Sequence, residues 1–491
     1  MKPLYQLTAC LLISFVMPCV AAVAQVGAAK PPAFTVAVAS APRTLDPATA
    51  TDAAGARLLQ LTHPALLGWD TAYRPAGQVA QSCRMPSLTQ AVCTLPPSLT
   101  FTDGSPLTAP DVAAWFGQLQ ANKLSPFVQL KDVKVTAPTR TTLQFDLPAA
   151  NLGFLGALTE VPVAKPQRPE IGAGPYKIVS HDATGSVTLA TDRADMPSTL
   201  TFIPLSDATT RLLKLKKGEV DAVLNDLPPQ LVNWAKAEGF PVVAVPGSSY
   251  SYIGLNLQNT NLKHPAVREA LTLAINRAAL RTHLLGGMAT PASTLLPPGH
   301  PAAWPAPEEA YDPFSAESLL DEANLLPDGT GVRFRMTLLT STDPFSQRVS
   351  QAIQAQLQEI GVAVDLRPTE WASFYDSVKK GAFDAVMLAW TGEQQPSFYQ
   401  HAFHSAQVPP AGLNRGRLND PQVDAATDAI MAAKTEAEQV AATVQVQKLL
   451  ADVRPYIPLY RRHQVLVTRP EVTGCGLTTS GNYLGLVSCR K

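Results

Sequence analysis

Two hydrophobic periods take turns along this chain. Residues 34–39 (FTVAVA) alternate as a strand does and end at the turn-forming Ser40-Ala41-Pro42. A helix carrying Leu58, Leu59 and Leu61 follows. At Val112, Trp115, Phe116 and Leu119 the apolar residues recur at i, i+3, i+4 and i+7, which predicts one buried helical face. Thr108-Ala109-Pro110-Asp111 opens that helix, with Thr108 as its cap and Asp111 placed to reach back to the cap amide. Strands are predicted over 133–136, 142–145 and 199–205, then a helix over 208–217 and a strand over 221–224, a βαβ pattern. Residues 240–245 and 251–257 add further strands. A second βα system begins near Lys263 with an amphipathic helix over 264–280. Asp312 caps a helix through Ala323; strands over 334–339, 362–366 and 383–390 then alternate with helices over 346–360 and 374–380. The alternation predicts an α/β protein.

Composition narrows what such a protein can bind. At 491 residues the chain has room for about three domains or lobes. Lys+Arg and Asp+Glu both number 39, so there is no basic excess to attract nucleic acid or an anionic membrane. The N-terminus reads as an export signal: Lys2, an apolar core over 11–16, and Ala22-Val23-Ala24 as a small-x-small site with cleavage before Gln25. No later stretch approaches the roughly 20 apolar residues of a membrane span. Cys19 follows Val16-Met17-Pro18, a poor lipoprotein box, so a soluble exported protein is expected rather than a lipid-anchored one. Cys10 and Cys19 leave with the signal. Cys83, Cys93, Cys475 and Cys489 remain, and in an oxidising compartment three pairings are open to them. The local pairing, Cys83–Cys93 and Cys475–Cys489, is expected because each bridge closes a short loop; neither spacing suits a zinc site.

Catalytic signatures are missing. There is no G-x-S-x-G and no H-E-x-x-H. Gly172-Ala173-Gly174 lacks the ending of a phosphate loop, and Ser377 to Lys380 spells S-x-x-K without its companion motifs. His401 and His404 stand at i, i+3 without a third ligand at matching spacing. Asp103 and Asp111 serve a turn and a helix cap more simply than an acid–base pair.

A series of segments, in order, carries a resemblance. They are Thr44-Leu45-Asp46-Pro47, LTFTDGSPLTAPDV from Leu99, GAGPYKI from Gly172, KGEVDA from Lys217, Ile253-Gly254-Leu255-Asn256, HPAVREALTLAINR from His264, Tyr311-Asp312-Pro313, the strand over 383–390 and PYIPLY from Pro455. The whole resembles the family 5 extracellular solute-binding proteins, the peptide- and nickel-type binding components of ABC importers. The resemblance implies a two-lobed periplasmic-binding-protein-like fold (type II, large peptide-binding subclass) with the ligand cleft between the lobes. Lobe 1 would take residues 25–257 with 463–491 returning to it, and lobe 2 residues 258–462. It implies a periplasmic monomer without a cofactor that closes on a peptide or related small solute and hands it to a membrane permease.

In peptide-binding members an acid after the buried strand pairs with the ligand's α-amino group, and Glu393 falls there. Trp390 and Thr391 precede it, with Trp390 either stacked on ligand or filling the core. Ser249, Tyr250 and Tyr252 are the expected contacts at the approach to the crossing strand. Dipeptide-type members also place a basic residue before the long helix; this chain reads LLTSTDPFSQR, with no cation until Arg348. A longer peptide or another amine-bearing solute therefore fits equally well. The alternatives are a nickel-chelate binder, supported only by His401 and His404, and an exported hydrolase.

Overall fold

The computed structural model describes residues 32–392 and 395–491; the export signal expected over 1–24 lies outside them. Two large sheets divide the chain. The first has seven strands, in the order Lys177–His181, Val187–Ala190, Thr199–Pro204, Phe34–Val38, Ala222–Leu224, Gln464–Thr468 and Val242–Val245. Phe34–Val38 lies in its middle and parallel to both neighbours, so it is covered on both faces and its sequence is nearly all apolar. One face packs Phe34, Val36, Phe202 and Leu466 on Tyr483 and Leu486 near the C-terminus. The other packs Ala37, Val223 and Val467 on the helices Ala208–Lys216 and Pro229–Ala237. Phe202 stacks on Tyr483 at 4.8 Å between centroids, and Cys475 is bonded to Cys489.

A smaller unit grows out of this lobe. Its sheet runs Ser82–Ser87, Gln90–Thr94, Thr142–Asp146, Lys134–Thr136 and is backed by the helix Ala109–Ala121. Cys83 lies directly opposite Cys93 on paired strands and is bonded to it, so both bridges have the local pairing. The Thr108 amide donates to Asp111 Oδ2 at 2.9 Å, the capping contact expected from sequence. Val112, Trp115, Phe116 and Leu119 are all buried, and Trp115 Nε1 donates to the Pro162 carbonyl at 2.7 Å.

Gly172 ends the strand Arg168–Gly172, five residues before the chain re-enters the first sheet at Lys177. A Cβ on Gly172 would stand 2.0 Å from the Thr62 carbonyl, so the Gly-Ala-Gly segment allows a close backbone approach. His63 is buried at this junction, with Nε2 3.0 Å from the Pro169 carbonyl and Nδ1 2.8 Å from Thr62 Oγ1.

The second large sheet has the order Ala289–Thr290, Tyr456–Arg462, Tyr250–Leu255, Ala385–Trp390, Phe334–Ser341, Val362–Thr369. Phe334–Ser341 is parallel to Val362–Thr369 and Ala385–Trp390; Tyr250–Leu255 is antiparallel to both its neighbours. Tyr250–Leu255 is thus an inner strand of the second lobe, and a boundary at 257/258 falls too late. The chain crosses between lobes at 246–249 and returns at His463, which precedes Gln464–Thr468 of the first sheet.

The helix expected over 264–280 is interrupted. Pro265–Leu273 ends, Asn276 caps a new short turn by accepting from the Ala279 amide at 2.8 Å, and Arg277 swings inward to the Pro458 carbonyl at 2.7 Å. Apolar spacing does not reveal that cap, because both pieces keep the same buried side.

Burial lowers the pKa of His63 from 6.5 to about 4, the Pro169 carbonyl offsetting only part of the effect. Between those values the unfolded chain binds more protons, so this contribution to stability is complete above pH 6.5 and declines as pH falls toward 4. Urea unfolding at pH 7 and pH 4.5 should show the wild type losing about 2–3 kcal/mol more than His63→Gln. Equal losses in the two proteins would refute the assignment.

Candidate ligand-binding site

The strands Phe334–Ser341, Val362–Thr369 and Ala385–Trp390 are mutually parallel, so their C-terminal ends share one edge of the second sheet. In open α/β sheets ligands collect beyond that edge. Here the chain leaving Trp390 runs on to Gln395, Pro396 and Ser397, which face the smaller unit of the first lobe across a cavity of about 290 Å3. Trp69, Tyr73 and Gly156 line the opposite wall.

Residues of the two lobes approach each other on either side of this cavity. Gln395 Nε2 lies 3.4 Å from Glu160 Oε1, and the Tyr73 and His300 rings lie 5.5 Å apart, tilted by 47°. Tyr73 reaches His300 from a left-handed backbone, φ 57°, at the end of a turn built by Asp70. Asp70 Oδ1 accepts from the amides of Ala72 and Arg74, both at 2.8 Å. A non-glycine residue at positive φ is held there by its surroundings, and such strain gathers at binding clefts. Glu160 is exposed. Protein still crowds part of its surroundings, and that loss of water raises its carboxyl above the usual carboxylate range, with the Gln395 donor offsetting part of the rise.

The residues expected from sequence fall into separate groups. Glu393 lies outside the described residues. Ser249 and Thr391 are brought together at the ends of paired strands, Oγ to Oγ1 at 3.2 Å, with Thr391 exposed. Tyr250, Tyr252 and Trp390 are buried on the inner face of the second lobe's sheet, where Tyr252 stacks on Tyr456 at 4.1 Å between centroids. Trp390 meets Phe398 edge-on at 4.9 Å and carries the Arg415 guanidinium on its ring at 4.1 Å. Its indole therefore fills the lobe interior just beneath the cleft wall. His401 and His404 are parted: His401 is exposed on the helix Phe398–Phe403, while His404 lies beyond its end. His404 Nδ1 accepts from the Ala406 amide at 3.0 Å, and Nε2 lies 3.4 Å from Asp428. Among the described residues no cluster of three such side chains could hold a metal ion.

Trp69, Tyr73, Gly156, Glu160 and Gln395 were not singled out by the sequence reading. Trp69 and Tyr73 were visible as aromatic residues flanking the polar turn Asp70-Thr71-Ala72. Glu160, Gly156 and Gln395 belong to the site only because two distant parts of the chain meet.

The same architecture occurs in known proteins. The family model for the middle part of the bacterial extracellular solute-binding proteins, family 5, matches residues 75–409. The chain is 27% identical over 471 residues to the glutathione-binding protein GsiB of Salmonella typhimurium, spanning 89% of this chain and 91% of that one. It is 28% identical over 312 residues to a probable di/tripeptide-binding protein of Pseudomonas aeruginosa, spanning 62% of this chain and 59% of that one. The structure of NikZ from Campylobacter jejuni in complex with Ni(L-His) matches with a TM-score of 0.79 at 21% identity, covering 94% of this chain and 99% of that one. That last likeness is one of fold.

The approach of Gln395 to the first lobe leaves little room for a side chain at Gly156. A Cβ on Gly156 would stand 3.1 Å from Gln395 Cδ and 3.2 Å from the Trp69 ring. Gly156→Leu should hold the lobes apart, raising the radius of gyration in X-ray scattering while leaving the melting temperature close to that of the wild type. An unchanged radius in a folded variant would show that the lobes do not approach at Gly156.

Proposed function

The chain belongs to family 5 of the bacterial extracellular solute-binding proteins, and from that premise we propose that it captures a peptide or related small solute and delivers it to membrane permease subunits. It is a solute-binding component of an ABC importer. The observation that carries the reading is the cleft itself: a cavity of about 290 Å3 walled by Trp69, Tyr73 and Gly156 from one lobe and by Gln395 and Ser397 from the other. The chain crosses between the lobes at 246–249 and 463, and a solute touching both walls favours the closed arrangement by its differential affinity for it. Capture of this kind needs no covalent step, and in this reading the protein acts as an exported monomer.

Glu393 is the group we assign to the solute's amino end. A carboxylate there would make a charge-assisted hydrogen bond in a site from which closure expels water. Ser249 and Thr391, hydroxyl to hydroxyl at 3.2 Å, offer neutral polar contacts at the end of the second lobe's sheet. The relatives named for glutathione and for di- and tripeptides support a peptide. A nickel chelate is the second reading, favoured by the fold-level likeness to a protein holding Ni(L-His), although His401 and His404 do not converge in this chain.

The test is native mass spectrometry of the protein purified from its own compartment, followed by scattering and thermal melts with added peptide. A co-purifying peptide, a smaller radius and a raised melting temperature with the peptide recovered intact are expected. Consumption of the peptide would instead support an exported hydrolase, and a co-purifying nickel complex the second reading. Glu393→Gln should weaken a peptide with a free amino end by about ten- to hundredfold, and an N-acetylated one hardly at all.

A further inference from the structure

The second lobe holds a cavity of its own, of about 250 Å3, lined only by residues of the segment 250–458. It is a different space from the cleft. The helix Glu436–Val453 serves both: Glu436, Gln439 and Val440 line the cleft cavity, while Gln447, Leu450 and Ala451 line this one. From Gln439 to Leu450 the helix rises by roughly 16 Å.

The walls are held in place by the protein itself. The loop after Ala289–Thr290 closes one side and is pinned at three points. Arg461 Nη2 donates to the Leu295 carbonyl at 2.8 Å, the Trp304 amide donates to Gln447 Oε1 at 3.0 Å, and Arg281 Nη2 donates to Glu308 Oε2 at 2.8 Å. Gln447 Nε2 donates in turn to the Ala302 carbonyl at 2.6 Å. These bonds use the polar groups of the wall on the wall. The rings of Trp304, Tyr399 and Phe403 line the space, with Leu295, Leu450 and Pro458.

The charged residues at its edge decide what can enter. Arg277 donates to the Pro458 and Thr272 carbonyls at 2.7 and 3.0 Å, Glu308 is held by Arg281, and Glu309 Oε1 lies 2.9 Å from Arg454 Nη2. Asp452 is exposed, so water screens its charge. A charged molecule would therefore shed its hydration without gaining a partner, which excludes it. Water is also poorly served, since a buried water makes about two to four hydrogen bonds, whereas an apolar cavity of about 150 Å3 takes benzene.

We infer that this cavity is a second ligand site, separate from the solute cleft, and that it takes a neutral small molecule of one or two aromatic rings. The inference goes beyond the solute-binding reading and does not depend on it. Because all its walls belong to one lobe, its occupant touches the same atoms whether the lobes stand open or closed. Such a ligand binds without shifting that equilibrium.

The probes are indole, benzoate and benzylammonium, titrated calorimetrically into the full protein, with X-ray scattering and thermal melts alongside. Indole should bind at least about tenfold more tightly than either charged probe, raise the melting temperature and leave the radius of gyration unchanged. Ala451→Phe brings a ring into the cavity from the long helix and should weaken indole by about tenfold or more. Crystals soaked in bromoindole locate the site without any variant, and the bromine's anomalous peak should lie beside Trp304 and Phe403. Four results each overturn the site and leave peptide capture standing: no indole binding, charged probes bound as tightly, a radius that shrinks with indole, or a bromine peak beside Trp69 in the cleft. Undiminished indole binding by a folded Ala451→Phe does the same.

Discussion

The relation between the lobes depends on how Arg461 is held. Its guanidinium is 1% exposed and has no ion-pair partner among the described residues. It spans from the Ser248 carbonyl, on the outgoing crossing, to the carbonyls of Leu295 and Leu296 on the long loop of the second lobe. Arg461 itself lies one residue from the end of Tyr456–Arg462, just before the returning crossing. A planar fork of five donors reaches carbonyl oxygens on two sides of the guanidinium at once, a span that the compact ammonium of a lysine lacks. Both crossings therefore leave the second lobe as one tied body. Any bending falls on the short segments between that tie and the first sheet, where the Ser248 amide in turn donates to the Thr479 carbonyl at 2.8 Å.

The tie also fixes what the second lobe can present to a solute. Tyr250–Leu255 enters the sheet at a set register, Tyr250 opposite Trp390, and this brings the Ser249 and Thr391 hydroxyls to the rim together. One face of the sheet then packs aliphatic residues on the helices Pro265–Leu273, Pro313–Glu322 and Pro344–Glu359. The other packs aromatic rings whose polar tips have to be accommodated. Aliphatic packing gives rigidity without polar demands. An aromatic layer combines large buried area with polar tips that pair among themselves, Tyr252 with Tyr456 and Arg415, and Tyr456 with Trp390.

The first lobe contributes in a different way. Its seven-stranded sheet anchors the chain's C-terminal end through Phe202 and Tyr483, and the Cys475–Cys489 bridge closes the tail against that contact. The smaller unit reaches the cleft with Trp69, Tyr73 and Glu160 and is joined to the large sheet beside His63 and Gly172. Dense packing at that junction makes the two parts a single wall, so the solute meets one surface from this lobe and another from the second.

What the sequence determined by itself was local or periodic. Alternation and helical spacing marked Phe34–Val38, Ala109–Ala121 and the βα units, because burial on one face leaves a period that any reader of the chain can see. The Thr108–Asp111 cap and both disulfides join residues close in sequence, and the ordered motifs named the family. Tertiary structure alone decided whatever depends on distant segments meeting. It placed Tyr250–Leu255 in the second sheet, broke the helix at Asn276 and buried Trp390 under Arg415. It also set Glu160 against Gln395 across the cleft. None of these leaves a period or a spacing in the chain, since each is a contact between residues whose separation in sequence says nothing of their distance in space.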